Sequence, residues 1–366
     1  MTAHPLTLRA LRARAVDVPM RRPLRTAGGT VATAPLVLID LETAEGVAGR
    51  SYLFCYTPVA MAPVVALLEG LGAALAGQPV VPLEVERSLQ HRFRLLGPQG
   101  LTGMALAGID MACWDATARA AELPLARLLG GTCRAVRAYN SNGLGLIGAE
   151  AAAREAESLL EDGFRAVKVR LGYAALAEDL AVVRAVRQAV GPEVAVMADY
   201  NQSLSVPEAV RRAQALDGED LAWIEEPVRA DDYEGSAEVA RAARTPVQIG
   251  ENCWGPHDLA RALRARSADL LMPDAMKIGG VTGWLRAAAL TQAAGIPTSS
   301  HLFPELSAHL LAATPTADWL EYADWAGPIL GEPPRVVDGH LRPPDTPGIG
   351  LEWDEAAVAR LSAGRG

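Results

Sequence analysis

Charged and polar residues recur at similar intervals through the second half of the chain. Each closes a short apolar segment, and successive positions lie 20 to 31 residues apart. In chain order they are Lys168 with Arg170, Asp199 with Asn201, Glu225, Glu251, Asp274, His301 and Glu321. A single charge of this kind is most often structural, but seven positions at the same phase of a repeat indicate one shared site.

Three of these positions are carboxylates on successive predicted strands. Asp199, Glu225 and Glu251 lie in MADYN, WIEEP and QIGEN. Neighbouring strands are about 5 Å apart, so the three side chains are expected to converge. Three anions repel unless a cation lies between them, and oxygen ligands without Cys or His favour Mg²⁺ over zinc. The alternative is a set of independent ion pairs.

Asp274 and His301 end the next two predicted strands. A carboxylate bonded to one imidazole nitrogen sets the tautomer and raises the basicity of the other nitrogen. Ser299 and Ser300 lack a GxSxG setting, so the pair predicts a general base without a nucleophile. A metal holding an oxyanion beside such a base describes proton abstraction next to a carboxylate.

The elements that carry these residues predict a closed barrel over residues 135–325. Eight short apolar strands alternate with about seven amphipathic helices, which fits a (β/α) barrel better than an open doubly wound sheet. The strands are AVRAYNS, RAVKVRLG, VAVMADYN, AWIEEP, VQIGEN, LLMPDAM, IPTSSH and WLEY. Active sites in this fold lie at the C-terminal strand ends, where the charged residues are found.

Residues 1–134 predict a separate α+β unit. Two strands and two helices are expected, with an irregular Gly/Thr loop (RRPLRTAGGTVAT) between the strands. The strands are placed at 7–20 and 34–43, and the helices at 61–77 and 100–131. The turn-rich tail, 326–366, is expected to leave the barrel and pack back on this unit.

The composition excludes several classes of function. The 366 residues include 34 Lys+Arg and 43 Asp+Glu, a net charge of −9 that argues against nucleic-acid or membrane-surface partners. The longest uncharged apolar run near the N-terminus, residues 58–68, is too short to span a bilayer, and no signal-peptide core precedes it. The cysteines are widely spaced without a CxxC pair, which predicts reduced thiols in a cytoplasmic protein.

Longer motifs resemble the mandelate racemase group (mandelate racemase/muconate lactonizing enzyme family) of the enolase superfamily. They are KVR, ADYNQS, WIEEP, QIGEN, MPDAMKIGGVTGW, SSHLF and HLLAATPT in the barrel, and APLVLIDL, SYLFCYTP and AGIDMACWDA before it. The resemblance covers nearly the whole chain. It implies an N-terminal α+β capping domain over a (β/α)7β TIM-like barrel, and a homo-oligomer.

The resemblance also implies roles for the site residues. One Mg²⁺ would be held by Asp199, Glu225 and Glu251. His301, oriented by Asp274, would handle the α-proton of a 2-hydroxy acid, the small-molecule carboxylate substrate. Glu321 would be a protonated acid that hydrogen-bonds the substrate carboxylate in the enolate intermediate. Lys168 would contact a substrate carboxylate oxygen, and Asn201 the same oxyanion region.

Arg170 departs from the family pattern, which is Lys-x-Lys with the second Lys as the base on the opposite face of the substrate. A guanidinium remains protonated well above physiological pH, so Arg170 is a poor base and a good fixed cation. Racemisation with two bases is therefore in question at this position.

The expected substrate pocket has a largely apolar wall. It is formed by Leu24, Val31, Phe54, Tyr56 and Leu302, with Ser141 and Asn201 as polar contacts. Such a wall suits an aryl or alkenyl glycolate, whereas Arg25 and Gly28 favour a larger or more anionic substrate. The leading hypothesis is racemisation of a mandelate-like acid. The alternatives are one-base dehydration of a sugar acid through His301 and, more remotely, a non-catalytic binding relative.

Overall fold

A computed structural model describes residues 6–363, and its first unit is an antiparallel sheet with four helices. The strands are β1 (Leu8–Thr26), β2 (Gly29–Thr43) and β3 (Ala48–Phe54), in the order β1-β2-β3. The helices are α1 (Pro58–Leu75), α2 (Pro82–Arg92), α3 (Gly100–Ala120) and α4 (Leu125–Leu128). Residues 34–39 of the central strand β2 are buried without alternation, because β2 has a partner strand on each side and α1 and α3 pack on the sheet.

The segment predicted as an irregular loop is a regular hairpin, so that prediction was wrong. β1 and β2 pair as far as Thr26 and Gly29, with a shift in register between Pro19 and Leu24. β3 and α2 were not predicted. In β3 the sequence AGRSYLF lacks strict alternation, and its pairing with β2 supplies the order that the local pattern does not.

Eight parallel strands and seven helices form the (β/α)7β barrel that the sequence predicts. The strands are β4 (Val136–Asn140), β5 (Ala166–Arg170), β6 (Ala195–Asp199), β7 (Ile224–Glu225), β8 (Val247–Ile249), β9 (Leu270–Leu271), β10 (Thr298–Ser300) and β11 (Ala317–Tyr322). The helices are α5 (Ala149–Leu160), α6 (Leu176–Val190), α7 (Val206–Leu216), α8 (Tyr233–Ala242), α9 (Pro256–Ala265), α10 (Gly280–Ala294) and α11 (Pro304–Ala312). Pairing of β11 with β4 closes the barrel.

The tail contacts both preceding units. It contains a 3₁₀ turn (Gly327–Ile329), β12 (Val336–Val337), β13 (His340–Leu341) and α12 (Glu355–Ala363). β13 pairs antiparallel with β4 of the barrel. On the sheet side, Glu355 forms an ion pair with Arg14 at 2.6 Å, and Trp353 Nε1 donates to Asp40 at 2.8 Å.

The antiparallel unit is joined to the barrel by buried hydrogen bonds. The Asp110 carboxylate on α3 accepts the backbone N–H of Thr282 at the start of α10 (3.0 Å), and Trp114 donates to the Thr282 hydroxyl (2.9 Å). Tyr52 on β3 donates to Glu305 on α11 at 2.7 Å. These contacts hold the antiparallel unit against the first turns of α10 and α11, which follow barrel strands β9 and β10.

Helix α1 is long and apolar enough, by length and composition, to cross a membrane, which the sequence analysis did not expect of this segment. Its 18 residues have a mean hydropathy of 1.7, and a third of them are buried. The buried residues form one stripe against β1 and α3, and include Met61, Val64 and Leu68. This packing is typical of a helix that covers a sheet.

His309 joins three parts of the fold as a neutral imidazole. It lies in α11 and is fully buried; its Nδ1 accepts the backbone N–H of Ala126 in α4 (3.2 Å), and its Nε2 lies 3.1 Å from the Ile349 carbonyl in the tail. Burial lowers the pKa of His309 to about 4.

We therefore expect His309 to make stability depend on pH. Because its folded pKa lies below the ordinary value of about 6.5, its contribution is complete above that pH and is lost as the pH falls towards 4, at up to about 1.4 kcal/mol per pH unit. Urea unfolding between pH 7 and 4 should show this extra slope in the unmodified protein and a shallower one in His309→Gln. His340→Gln, which replaces an exposed imidazole, is the control. Parallel slopes for His309→Gln and the unmodified protein would contradict the assignment.

Candidate active site

The structure brings the charged strand ends together inside one end of the barrel. Lys168, Arg170, Asp199, Glu225, Asp274, His301 and Glu321 are all less than 10% exposed. In the register of the sheet, Arg170 pairs with Asp199, and Asp199 with Glu225. Parallel strands in register place these side chains at one level, as the repeat predicts.

Lys168 supplies the central positive charge. Its ammonium is 3.3 Å from Asp199 Oδ2 and 2.9 Å from Glu321 Oε1, and it donates a short hydrogen bond to Glu225. Burial alone would lower the pKa of Lys168, but the negative charges of Glu225 and Glu321 outweigh burial and raise it well above its ordinary value. Lys168 is therefore a permanent cation among three buried carboxyl groups, and burial raises the pKa of Glu225 to about 8 although the charge of Lys168 opposes this.

Glu321 is an ionised acceptor, which differs from the protonated acid that the resemblance implied. Its Oε1 accepts from Ser141 Oγ (2.6 Å) and from Lys168, and its Oε2 accepts the backbone N–H of Leu302 (2.9 Å). Burial favours the neutral acid, but the charges of Lys168 and His301 and these donors lower the pKa of Glu321. The sequence could not show that these three partners of the carboxylate are all hydrogen-bond donors.

Each of the three expected metal ligands is held by an N–H donor. Asn201 Nδ2 donates to Asp199 (3.0 Å), Trp223 Nε1 to Glu225 (2.9 Å) and Asn252 Nδ2 to Glu251 (2.9 Å). Donors of this kind orient ligating carboxylates, and a set of oxygen atoms alone fits a hard cation such as Mg²⁺.

The sequence predicts that the three carboxylates converge on one point, whereas in this structure they are turned to other partners. Across residues 6–363, no three Asp, Glu, His or Cys side chains are close enough to form a metal-binding group. Asp199 and Glu225 share Lys168, whereas Glu251 Oε2 lies 3.3 Å from His301 Nε2. Each anion thus has a cationic or hydrogen-bonding neighbour that offsets repulsion between the carboxylates.

Asp274 and His301 form the predicted pair. Asp274 Oδ2 is 2.7 Å from His301 Nδ1, and its Oδ1 accepts the backbone N–H groups of Met276 and Lys277 (2.8 and 2.9 Å). The imidazole is thus fixed with Nε2 directed towards Glu251 and Glu321. Burial would lower the pKa of His301, but the charges of Glu251 and Glu321 and the bond to Asp274 raise it to about 9.

Arg170 lies three strands from His301 around the barrel, and its contacts are all to oxygen atoms of one segment. Nη1 donates to the carbonyls of Ser141 and Gly143 (2.8 and 2.9 Å), and Nη2 donates to Ser141 Oγ (2.8 Å). Its Nε is buried without a hydrogen-bond partner, and no carboxylate within residues 6–363 forms an ion pair with it. Arg170 is a positioned cation with one unused donor.

The predicted pocket residues separate into two groups. Phe54 packs on Tyr56 (ring centres 4.5 Å apart) and on Trp325 (4.8 Å), which gives an aromatic wall at the end of β3. Leu24 and Val31 are cross-strand partners near the hairpin tip, where they are half-buried. The hairpin is tied to the loop after β4, because the Arg25 carbonyl accepts the N–H of Leu146 at 2.8 Å.

The remaining pocket residues contact other site residues. Ser141 links Arg170 to Glu321, and the Leu302 backbone binds Glu321. Asn201 binds Asp199 through both its backbone and side-chain N–H groups, so its observed role is to orient that carboxylate.

Three residues with contacts in the site were not singled out from the sequence. Lys277, Asn252 and Glu226 form a connected group beside Glu251. Lys277 and Asn252 lie within the motifs MPDAMKIGG and QIGEN, and Glu226 is the second Glu of WIEEP. Their proximity to the strand ends was the available signal, but only the folded chain shows that they contact one another.

Comparisons with known proteins agree with this architecture. Residues 9–130 match the family model of the mandelate racemase/muconate lactonizing enzyme N-terminal domain, and residues 151–357 match that of the enolase C-terminal domain-like family. An enolase from Bradyrhizobium, solved with magnesium and mandelic acid, is 47% identical with a TM-score of 0.94, and the match covers 99% of each chain.

Curated relatives of the chain include a cycloisomerase and a dehydratase. The 3,6-anhydro-alpha-L-galactonate cycloisomerase of Streptomyces coelicolor is 32% identical over 92% of this chain and 94% of its own. The L-talarate/galactarate dehydratase of Salmonella typhimurium is 33% identical over 72% of this chain and 66% of its own. The relatives are therefore enzymes of several reaction types.

Removal of the central cation should destabilise the protein. Lys168→Met leaves buried carboxylates without their charge partner, and loss of one member of a buried ion pair costs about 3–5 kcal/mol. Urea unfolding at pH 7 in the presence of a chelator measures the effect. Arg9→Met breaks an exposed ion pair with Glu42 and should leave the free energy of unfolding nearly unchanged. Equal stability of Lys168→Met and the unmodified protein would show that the carboxylates do not depend on this cation.

Proposed function

The chain belongs to the mandelate racemase/muconate lactonizing enzyme group of the enolase superfamily, and we propose that it uses His301 as a single base to remove the proton next to a carboxylate of a 2-hydroxy acid. The observation that carries the proposal is the difference between the two sides of the site. His301 has a carboxylate on Nδ1 and directs Nε2 into the site, whereas Arg170 offers only N–H donors.

We propose that Mg²⁺ is the cofactor. Although these carboxylates are turned to Lys168 and His301 here, Asp199, Glu225 and Glu251 would hold it. It would stabilise the negative charge that develops on the substrate carboxylate. Lys168 adds a second positive charge at the same level of the barrel. Arg170 binds and orients negative charge on the opposite side of the site.

A reaction with one base favours dehydration of a sugar acid. His301 Nε2 takes the proton from C2, and the electron pair of that C–H bond forms the enolate. The C3–O bond then breaks, and the hydroxyl leaves as water with the proton returned by the imidazolium. The enol product tautomerises to a 2-keto acid. The dehydratase among the relatives supports this outcome.

Racemisation of an aryl or alkenyl glycolate is the second candidate. The aromatic wall of Phe54, Tyr56 and Trp325 favours it, as does the Bradyrhizobium relative solved with mandelic acid. It requires proton transfer on the opposite face as well, and Arg170 is the cationic residue there. A screen of sugar acids and aryl glycolates with Mg²⁺ distinguishes the two reactions. Formation of a 2-keto acid detects dehydration, and polarimetry detects racemisation.

The proposed base has a direct test. His301→Asn should reduce exchange of the substrate α-proton with D₂O by at least about 10²-fold, and Asp274→Asn should have a similar effect because the imidazole loses its orienting anion. NMR measures the exchange on an acid identified by the screen. His257→Asn, an exposed imidazole at the start of α9, is the matched control. Near-normal exchange in His301→Asn would refute the assignment of His301 as the base. Chelation of Mg²⁺ or Glu251→Gln should also suppress exchange.

Because Arg170 replaces a base on one side of the site, we expect exchange of the α-proton with D₂O to depend on the enantiomer. If Arg170 is only a cation, the unmodified protein exchanges the α-proton of the one enantiomer that faces His301, and Arg170→Lys gains slow exchange from the other. Both rates are measured by NMR on separate enantiomers of one acid. Equal exchange from both enantiomers in the unmodified protein, with loss of one in Arg170→Met, would show that Arg170 acts as a base.

A further inference from the structure

Lys277 is a buried cation that belongs to neither the base nor the carboxylate cluster. It follows β9, is 7% exposed, and donates from Nζ to Asn252 Oδ1 at 2.6 Å. The same ammonium lies 4.6 Å from the centre of the Tyr56 ring. No carboxylate in the described part of the chain forms an ion pair with it. The amide oxygen and the ring face are therefore the contacts of this shielded ammonium.

Lys277 determines how the Asn252 amide is oriented. An ammonium has three donors and no acceptor, so the amide oxygen must face it and the amide N–H₂ must face away. On that other side, Asn252 Nδ2 donates to Glu251 Oε1 (2.9 Å) and to Glu226 Oε2 (3.3 Å). Glu226 is buried and also accepts the Gly250 N–H at 3.2 Å. Lys277 thus fixes a donor on Glu251 through one intervening side chain.

Tyr56 comes from the antiparallel unit, whereas Lys277 and Asn252 come from the barrel. The Tyr56 backbone has φ +58°, an unfavourable conformation for a residue other than glycine, so its surroundings impose the position. The preceding N–H of Cys55 is bonded to the Pro35 carbonyl on β2, and the ring is packed on Phe54. The sheet therefore holds the ring over the ammonium.

We propose that Lys277 is a positioning residue that links the capping unit to the affinity of the metal site. The Tyr56 ring replaces water around the ammonium, the ammonium orients Asn252, and Asn252 orients Glu251. Displacement of the ring loosens this chain of contacts and weakens cation binding. The inference rests on the proposed function, because Glu251 is taken as a ligand of Mg²⁺.

Calorimetric titration of the chelator-treated full chain with MgCl₂ tests the proposal. Lys277→Met should raise the Kd for Mg²⁺ by about 10-fold or more, the usual scale for residues that orient a ligand. Tyr56→Leu should raise the Kd by roughly 2- to 5-fold, as expected for loss of a partly exposed cation–π contact. Tyr56→Phe keeps the ring and should bind Mg²⁺ as the unmodified protein does. In Lys277→Met, the further change Tyr56→Leu should add nothing to the Kd.

Separate outcomes identify which idea fails. If the unmodified protein does not bind Mg²⁺, the cofactor assignment fails and the inference fails with it. If it binds Mg²⁺ but Tyr56→Leu binds equally well, only the link through Lys277 is refuted. The link is also refuted if Tyr56→Leu raises the Kd for Mg²⁺ by the same factor in Lys277→Met as in the unmodified protein. Circular dichroism tests whether each variant is folded. If Lys277→Met does not fold, the comparison of Tyr56→Leu with Tyr56→Phe still decides the question.

Discussion

Burial of like charges at one end of the barrel is the constraint on which the rest of the site depends. Asp199, Glu225 and Glu321 are almost inaccessible to water, and isolated ions in such a place would be neutralised or would destabilise the fold. Lys168 lies among the three and pairs with each of them. The barrel register that brings the carboxylates together also brings this ammonium to them, so the charges are stabilised by the same strands that concentrate them.

The same electrostatic arrangement divides the site chemically. His301 is held between Asp274 and Glu251, and its second nitrogen, unlike a guanidinium, is a group that can lose and regain a proton. Arg170 lies on the other side with carbonyl and hydroxyl acceptors on both Nη atoms, and a guanidinium does not release its proton near neutral pH. In the proposed reaction the His301 side of the site transfers the proton and the Arg170 side attracts negative charge.

The antiparallel unit contributes to the site as well as covering it. Its β1–β2 hairpin is bonded to the loop after β4, and the end of β3 carries the aromatic wall. Tyr56 extends from this wall to Lys277, which belongs to the barrel. Under the proposed link through Lys277, this ring would connect the aromatic wall to cation binding, because it contacts both Phe54 and the buried ammonium.

The sequence by itself determined the barrel and the positions of its charged strand ends. A repeat of apolar strands that each end in a charged residue predicts parallel strands with one functional edge, and the Asp274–His301 pair follows from neighbouring strands. The tertiary structure alone decided the regular β1–β2 hairpin, strand β3 and helix α2, because their local patterns are weak and pairing or packing with neighbouring elements supplies their order. It also decided that Glu321 is ionised, that Lys168 binds carboxylates and that Lys277 orients Asn252. Charge states and hydrogen-bond partners depend on distances of a few ångströms between residues far apart in the chain, and residue types and spacing do not specify those distances.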